Sequence, residues 1–421
     1  MSTETAPGVS ETRSKYASAT LGLGAFAIGT AELVIVGVLN LIAGDLDVSV
    51  GTAGLLVTAY ALGISFGGPI LTAATIKLPR RTLLWLALAV FIAGNVLAVF
   101  ASAFGLLVAA RVITGAIHGL FIGAACAVAA SLVTAERRGQ AVAMVFGGIA
   151  VSTVIGVPLG TLIGQSVGWR AAFVGVVVLG ALALVSTLVL VPSVAGSGSG
   201  GLGAQAKYAF APRVLAMLGT GLLLLGGQFT AFTFLAPFLE EVTGIGGGAV
   251  SAFLLIFGVA SALGTFAGGN FADKNAGATL LVGNVVLVVS LGALYLIGSN
   301  AVLVGLALAA WGLVGFGIVP SLQLRVISLA GPGGDLAATL GASAVNAGIA
   351  AGAAIGGWAV AANGVEKAPL AALIICAVAL PATWATRWLK APVDNDHAGS
   401  SGATPDNAAT TADGASLAAG R

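Results

Sequence analysis

Twelve long apolar stretches with few or no charged residues dominate the chain and limit what it can fold into. A helix needs about 20 such residues to cross the ~30 Å hydrocarbon core of a bilayer. Composition agrees, because 58% of the residues are hydrophobic and 8% are charged, whereas about a quarter of the residues in a soluble protein are charged. The sequence therefore predicts an all-α membrane protein with twelve transmembrane helices. The predicted spans are 18–40, 51–76, 82–101, 104–132, 138–163, 169–191, 213–239, 248–272, 277–298, 301–329, 335–361 and 368–389.

The spans divide into two sets of six. Most connections are short, but segment 192–212 is rich in Gly and Ser, which is typical of a flexible linker. The fifth and eleventh spans, one in each set, are both rich in glycine. These features predict two pseudo-symmetric six-helix bundles with a substrate site between them near mid-membrane. The predicted segments are 1–17 (cytoplasmic), 18–191 (first bundle), 192–212 (linker), 213–390 (second bundle) and 391–421 (disordered tail).

Lysine and arginine are distributed unevenly between the two ends of the predicted spans. If the N-terminus lies in the cytoplasm, thirteen of these cations fall on the cytoplasmic side and two, Arg170 and Lys367, on the other. Cytoplasmic connections carry such an excess, so we expect a multi-pass protein of the plasma (inner) membrane with both termini in the cytoplasm. The polar first 17 residues lack a signal-peptide pattern, which predicts that the first span is not cleaved. The thirteen are Arg13, Lys15, Lys77, Arg80, Arg81, Arg137, Arg138, Lys207, Arg213, Lys274, Arg325, Arg387 and Lys390.

Several kinds of chemistry are not supported by the sequence. It contains no Gly-Lys pair and hence no phosphate-binding P-loop, so energy would come from an ion gradient or from the substrate's own gradient. Cys126 and Cys376 lie in apolar spans without metal-ligand spacing. The pattern Gly-x-Ser-x-Gly at 63–67 lacks the strand-to-helix context of a hydrolase. We expect no enzyme activity, cofactor, metal or nucleic-acid partner, and a monomer in the lipid bilayer.

Three ionisable residues lie inside predicted spans, where such groups are costly and therefore candidates for function. They are Glu32 in the first span and Arg111 and His118 in the fourth. Glu32 and Arg111 lie eight and seven residues from the same membrane surface, which is ~10–12 Å at ~1.5 Å per residue. The two can face each other if the first and fourth helices are neighbours. Arg111, Thr114, Gly115 and His118 share a helical stripe that we expect to line a cavity.

A carboxylate near an arginine in a membrane has three interpretations. The pair can hold two helices together as a fixed ion pair, or Glu32 can contact a cationic or polar substrate. Glu32 can also gain and lose a proton, because burial disfavours the charged form and a nearby cation favours it. His118 can relay a proton, bind substrate, or form a neutral hydrogen bond between helices.

The fifth span combines small residues with a proline. Small residues recur at every fourth position and share one face, which permits close contact between helix backbones. Pro158 interrupts the backbone hydrogen bonds and predicts a bend. A bundle whose parts move and a static packing helix both fit this pattern. The recurring residues are Gly148, Ser152, Gly156, Gly160 and Gly164.

A set of aromatic and amide residues lies at middle depth in the second half. An aromatic-lined cavity with few polar groups suits a partly apolar organic molecule, although each residue can equally serve packing alone. The predicted substrate-cavity residues are Gln228, Phe232, Trp311, Phe316, Gln323 and Asn346.

These features resemble the major facilitator superfamily, and specifically its twelve-span drug:proton antiporters of the chloramphenicol-resistance and arabinose-efflux branch. Segment 29–39, GTAELVIVGVL, is similar to the first-helix motif, whose acidic residue matches Glu32. Segment 107–115, LVAARVITG, is similar to the fourth-helix motif, whose arginine, implicated in proton transfer, matches Arg111. The proline of the antiporter motif matches Pro158. The resemblance implies export of a small organic compound, such as chloramphenicol, in exchange for protons by alternating access; a sugar or nucleoside permease is the alternative.

The resemblance is incomplete at the predicted cytoplasmic gate. The family loop Gly-x-x-x-Asp-Arg-x-Gly-Arg-Arg appears here with Thr72 in place of the first glycine, Ile76 in place of the aspartate and Pro79 in place of the second glycine. Its basic residues remain, and an aspartate is present at the equivalent place in the second half. In the fifth span, Gly-Val-Pro-Leu-Gly-Thr replaces Gly-Pro-x-x-Gly-Gly. The predicted gate and motif residues are Lys77, Arg80, Arg81, Asp273, Gly156, Pro158 and Gly160.

Overall fold

The computed structural model describes residues 11–75, 77–134, 137–192 and 202–391. In this part of the chain, eleven helical stretches are long and apolar enough to cross a membrane. One of them, Ala249–Ile297, is interrupted at Asn275, whose φ of −161° and ψ of 85° are not helical, so it contains two spans and the total is twelve. The predicted all-α fold is confirmed. The helices are α1 Glu11–Asp45, α2 Val50–Ala74, α3 Arg80–Val99, α4 Phe104–Ser131, α5 Gln140–Val167, α6 Trp169–Leu190, α7 Pro212–Glu241, α8 249–274, α9 276–297, α10 Ala301–Gly333, α11 Gly334–Asn363 and α12 Lys367–Ala385.

The break between α8 and α9 has a local cause. The Asn275 side-chain oxygen Oδ1 accepts a hydrogen bond from the backbone N–H of Ala278 at 2.9 Å. This is the geometry of a helix N-cap, for which asparagine is well suited. Asn275 therefore ends one span and starts the next without a loop between them.

The segment predicted as a flexible linker is partly helical. Residues Leu202–Ala209 form a short helix, while 193–201 lie outside the described residues. The sequence LGAQAKYA contains three alanines and no proline, so its helix propensity is high once the Gly- and Ser-rich stretch ends. Most of the predicted segments 1–17 and 391–421 also lie outside the described residues.

Helices α2 and α5 each contain one wide, π-helical turn just before a proline. The turns are Gly63–Gly67, before Pro69, and Ser152–Gly156, before Pro158. Proline has no N–H and its ring collides with the carbonyl four residues earlier, and a local π-turn accommodates both defects without breaking the helix. The bend predicted from Pro158 is therefore a widened turn of α5.

Both π-turns lie where the two halves meet. The Ser65 hydroxyl donates to the carbonyl oxygen of Ser343 in α11 at 2.8 Å. In α5, the backbone of Thr153 lies so close to Gly258 of α8 that any side chain at Gly258 would collide with it. The widened turns thus provide close contacts between α2 and α11 and between α5 and α8.

The small-residue face of α5 packs against α1. A Cβ at Gly148 would meet the carbonyl oxygen of Gly22, and a Cβ at Gly156 would meet the Thr30 hydroxyl. A Cβ at Gly160 would lie 2.6 Å from Val34 Cγ2, closer than real Cβ contacts. This face is therefore a packing surface inside the first half, and the contact of α5 with the second half uses a different side of the helix.

The two halves share a hydrophobic core at one end of the molecule. We name the ends after Asn40 and Lys77. One cluster of buried residues joins Leu39 of α1 to Phe238 of α7, toward the Asn40 end. A second cluster contains only first-half residues, such as Phe121, toward the Lys77 end. At the Asn40 end the backbones of Gly51 and Gly357 also touch, so the structure is closed there.

The α1–α5 contact predicts a difference between two adjacent glycines. We expect Gly148→Ala to lower the melting temperature in detergent, because its methyl group overlaps the Gly22 carbonyl and overpacking costs about 1–3 kcal/mol. Gly147 has open space around its Cβ position, so Gly147→Ala is the matched control and should not lower it. Equal melting temperatures for the two variants would contradict this packing.

Candidate functional site

Arg111 is buried between three helices of the first half. Its side chain extends from α4 and the residue is 1% exposed. The guanidinium donates from Nη1 to the carbonyl oxygen of Ala31 at 2.7 Å and from Nη2 to that of Glu32 at 3.0 Å. Nε lies 3.4 Å from the carbonyl oxygen of Leu56 in α2. The guanidinium therefore binds the backbones of α1 and α2 and does not bind the Glu32 carboxylate.

Glu32, His118 and Tyr60 form a group beside this guanidinium. The Glu32 oxygen Oε2 lies 3.6 Å from Nδ1 of His118, beyond hydrogen-bond distance. The Tyr60 hydroxyl lies 3.2 Å from the same nitrogen. The Arg111 guanidinium carbon is 4.0 Å from the centroid of the Tyr60 ring, which is a cation–π contact. The Glu32 carboxylate is therefore near a cation and a histidine without a direct ion pair to Arg111.

A small cavity joins this group to the second half. Glu32, Tyr60 and Arg111 line it together with Phe229 of α7 and Ile349 of α11. Its volume is about 10 Å³, which is room for about one water molecule. The Glu32 side chain is 18% exposed and the His118 side chain 9%. The carboxylate thus borders the interface between the halves near the middle of α1.

The rest of the predicted polar stripe on α4 packs against neighbouring helices. A Cβ at Gly115 would meet the carbonyl oxygen of Tyr60, and a Cβ at Gly94 of α3 would lie 2.6 Å from Thr114 Cγ2. Of the stripe, Arg111 alone is among the residues that line the cavity. In this conformation Thr114 and Gly115 therefore serve helix packing, while Arg111 lines the cavity and His118 lies beside Glu32.

Four predicted substrate-cavity residues meet in an aromatic cluster between α7, α8 and α10. Nε1 of Trp311 donates to Oε1 of Gln228 at 3.2 Å, and Nε2 of Gln228 donates to the carbonyl oxygen of Gly315 at 3.3 Å. The rings of Phe232 and Phe257 stack with centroids 4.7 Å apart. Phe316 meets Phe257 edge-on at 6.2 Å.

The aromatic cluster reaches the cavity through one residue. Phe229 lines the cavity with Glu32, and its ring centroid lies 5.3 Å from that of Phe232. Gln228, Phe232 and Trp311 are each no more than 3% exposed. In this conformation the aromatic side chains are buried and pack against one another.

Residues 21–342 match the sequence profile of the Major Facilitator Superfamily. The chain belongs to the major facilitator superfamily. It is 41% identical over 342 residues to the MFS-type transporter YtbD of Bacillus subtilis, covering 80% of this chain and 86% of YtbD. It is 34% identical to the inner membrane transport protein YdhP of Escherichia coli K12, covering 87% and 94%. It is 33% identical to a chloramphenicol resistance protein of Streptomyces lividans, covering 79% and 86%.

The fold also agrees with solved structures. A bacterial homologue of the human lysosomal transporter Spinster superposes with a TM-score of 0.73 at 15% identity, covering 90% of this chain and 98% of that one. Together with the relatives, this fold makes the chain a multi-pass membrane transporter with a small-molecule substrate.

Two predicted substrate-cavity residues lie outside the aromatic cluster. Gln323 is seven residues beyond Phe316 on α10, and its Oε1 lies against Gly341 of α11. Asn346 donates from Nδ2 to the carbonyl oxygen of Ala342, one turn earlier in its own helix. Both are partly exposed and stand toward the Lys77 end, one to two turns from the cluster. The structure does not bring them to the other four.

The predicted gate residues lie at the Lys77 end. Lys77 and Asp273 are exposed and Arg80 is half-buried, while Arg81 donates to the carbonyl oxygen of Leu188 in α6. Among the described residues, neither Lys77 nor Arg81 forms an ion pair with Asp273. The two sets of gate residues, one from each half, are therefore not joined by these side chains in this conformation.

A larger cavity lies away from the site. It has a volume of about 400 Å³ between α8, α9 and α10 and is lined mainly by apolar residues such as Phe271, Val282 and Leu313. None of the predicted site residues lines it. This cavity lies within the second half, and none of its lining residues also lines the Glu32 cavity.

Sequence analysis missed residues that complete the site. Tyr60, Phe257 and Ile349 were not predicted, because an apolar or aromatic residue in a membrane span is usual. Tyr60 carried a usable signal, since the chain has only 4 tyrosines and a phenol inside a span needs a polar partner.

The Arg111 contacts predict that lysine cannot replace it. We expect Arg111→Lys to lower the melting temperature of the purified protein, because the compact ammonium group lacks the extended planar fork of donors with which the guanidinium reaches carbonyls on two helices. A loss of about 2–4 kcal/mol is expected from breaking a buried charged contact. Arg138→Lys, at an exposed position, is the matched control. An unchanged melting temperature for Arg111→Lys would contradict the anchoring role.

Proposed function

We propose that this transporter exports a small organic compound in exchange for protons, and that chloramphenicol is the first substrate to test. The observation that carries the proposal is the position of the Glu32 carboxylate. It borders the cavity between the halves and lies 3.6 Å from His118, while the nearby Arg111 charge is engaged by backbone carbonyls.

This arrangement suits a carboxylate that changes protonation state. Arg111 stays close enough to favour the charged form of Glu32, and burial opposes it. Because Arg111 is fixed to the backbone, opening the cavity to water changes the surroundings of the carboxylate and leaves the cation in place. Glu32 therefore accepts or releases a proton according to the conformation, with His118 as a neighbour that can take part in the transfer.

The substrate class follows from the other side of the cavity. Phe229, Phe232, Phe257 and Trp311 present aromatic surfaces, and Gln228 supplies an amide. Such a surface suits a partly apolar molecule with a few hydrogen-bonding groups. The resemblance to the chloramphenicol resistance protein of Streptomyces lividans makes that compound the first choice.

The charge distribution supports an orientation in the membrane. The excess of lysine and arginine at the Lys77 end supports a cytoplasmic location for that end and for both termini. The structure, closed at the Asn40 end, then represents the state closed to the outside. In the transport cycle, residues 16–191 rock against 213–390, and Lys77, Arg80, Arg81 and Asp273 form the cytoplasmic gate. The protein works as a monomer in the inner membrane.

The proposal is tested by proton movement across proteoliposomes with an acidic interior. Adding chloramphenicol outside should trigger proton efflux by the wild type, measured with a pH-sensitive dye inside. Glu32→Gln should fold but show no such efflux, because its amide cannot carry the proton. Asp47→Asn, at an exposed position, is the carboxylate-to-amide control and should behave as the wild type.

Two results would contradict the proposal. Substrate-triggered proton efflux by a well-folded Glu32→Gln protein would remove Glu32 from the coupling. No proton movement by the wild type with chloramphenicol, followed by flux of a sugar or nucleoside in the same vesicles, would replace drug export by the permease alternative.

A further inference from the structure

Glu240 crosses from the second half to the first at the Asn40 end. Nδ2 of Asn40 in α1 donates to Oε2 of Glu240 at 2.6 Å. Nε2 of Gln165 in α5 lies 3.4 Å from the other carboxylate oxygen and donates to the carbonyl oxygen of Gly37 at 3.0 Å. One carboxylate from α7 is thus held by two amides from the first half. We call Asn40, Gln165 and Glu240 the Glu240 bridge.

The Glu240 bridge lies at the Asn40 end, about two helical turns along α1 from the Glu32 cavity. Asn40 and Glu32 are eight residues apart on α1, a rise of about 12 Å. Val36, halfway between them, lines the cavity and is 0% exposed. Separation of α1 from α7 at this end would expose Val36 and would have to break the bridge.

One feature distinguishes this bridge from ordinary packing. Hydrogen bonds to a carboxylate are stronger than neutral ones, yet they are few enough to be broken and remade. The bonds of the Glu240 carboxylate therefore suit a contact that forms in only part of a transport cycle.

We propose that Glu240 is a positioning residue for transport, and that the Glu240 bridge keeps the Asn40 end of the transporter closed. The proposal rests on the proposed function only in requiring that the two halves separate at this end. It requires neither proton coupling nor a particular substrate or membrane orientation.

The test measures how fast a reporter cysteine at position 36 reacts. The reporter Val36→Cys is placed in a background with Cys126→Ala and Cys376→Ala, and a membrane-impermeant maleimide is added to right-side-out and to inside-out vesicles. Labelling should be slow in this background because the position is buried. Adding Glu240→Ala should raise the rate about tenfold in one vesicle orientation, because losing hydrogen bonds to a carboxylate shifts the closed–open equilibrium by about that factor or more.

A conservative variant at position 240 and a variant at the neighbouring position distinguish loss of the bridge from a general loosening of the structure. Glu240→Gln keeps an acceptor for Asn40, so its rate should fall between those of the reporter background and Glu240→Ala. Glu241→Ala is the matched control, since Glu241 is exposed beside it, and should leave the rate unchanged. Melting temperatures and gel-filtration profiles identify any variant that fails to fold.

A double variant that exchanges the Asn40 amide and the Glu240 carboxylate provides the decisive experiment. Asn40→Asp alone places two carboxylates against each other and should label fastest. Asn40→Asp combined with Glu240→Gln restores a carboxylate–amide bond with the roles reversed, so labelling should return toward the slow rate. A purely packing role for Glu240 predicts no such rescue.

The labelling outcome is independent of the transport assay. Equal rates for the reporter background, Glu240→Ala and Glu241→Ala would overturn the proposal, as would failure of the exchange to slow labelling in a folded double variant. The expected pattern of rates together with an absence of proton-coupled flux would retain the Glu240 bridge and reject the proposed antiport.

Discussion

A charged guanidinium in the middle of the membrane is the constraint around which the first half is built. Arg111 is buried, and its charge is costly there unless polar groups surround it. Carbonyl oxygens of α1 and α2 supply those groups, and the Tyr60 ring covers one face. Because the acceptors belong to the backbone, α1, α2 and α4 are held together while the Glu32 carboxylate remains beside the cavity without a direct bond to the cation.

The sequence was sufficient for the fold and for the common level of Glu32 and Arg111, but it could not give the contacts. Span lengths predict twelve helices, and the fixed rise per residue predicts that Glu32 and Arg111 lie at one level. Depth does not determine how each helix is rotated about its axis. For this reason the binding of Arg111 to a backbone carbonyl of Glu32, and the approach of His118 to its carboxylate, could be seen only in the structure.

The unknown rotation of each helix also explains why only four of the six predicted substrate-cavity residues in the second half meet. Phe232, Trp311 and Phe316 meet through Phe257, and Gln228 joins them through Trp311, whereas Gln323 and Asn346 lie one to two turns away. All six are aromatic or amide residues at middle depth in apolar spans, so composition treats them alike. Likewise, Pro158 predicted a disturbance of α5, but the motif does not specify that the disturbance is a π-turn at Ser152–Gly156.

The contacts within and between the halves differ in kind. Inside the first half, the small-residue face of α5 fits closely against α1, and Arg111 ties three helices. Between the halves, the glycine backbones of Gly51 and Gly357 touch, and single hydroxyls of Thr58 and Ser65 donate to carbonyls of α11. Each such bond contributes only about 0.5–1.5 kcal/mol. Separation of the halves would break these few bonds and expose the hydrophobic core that they share at the Asn40 end, but it would leave the close packing inside each half intact, which is consistent with the rigid-body rocking that we propose.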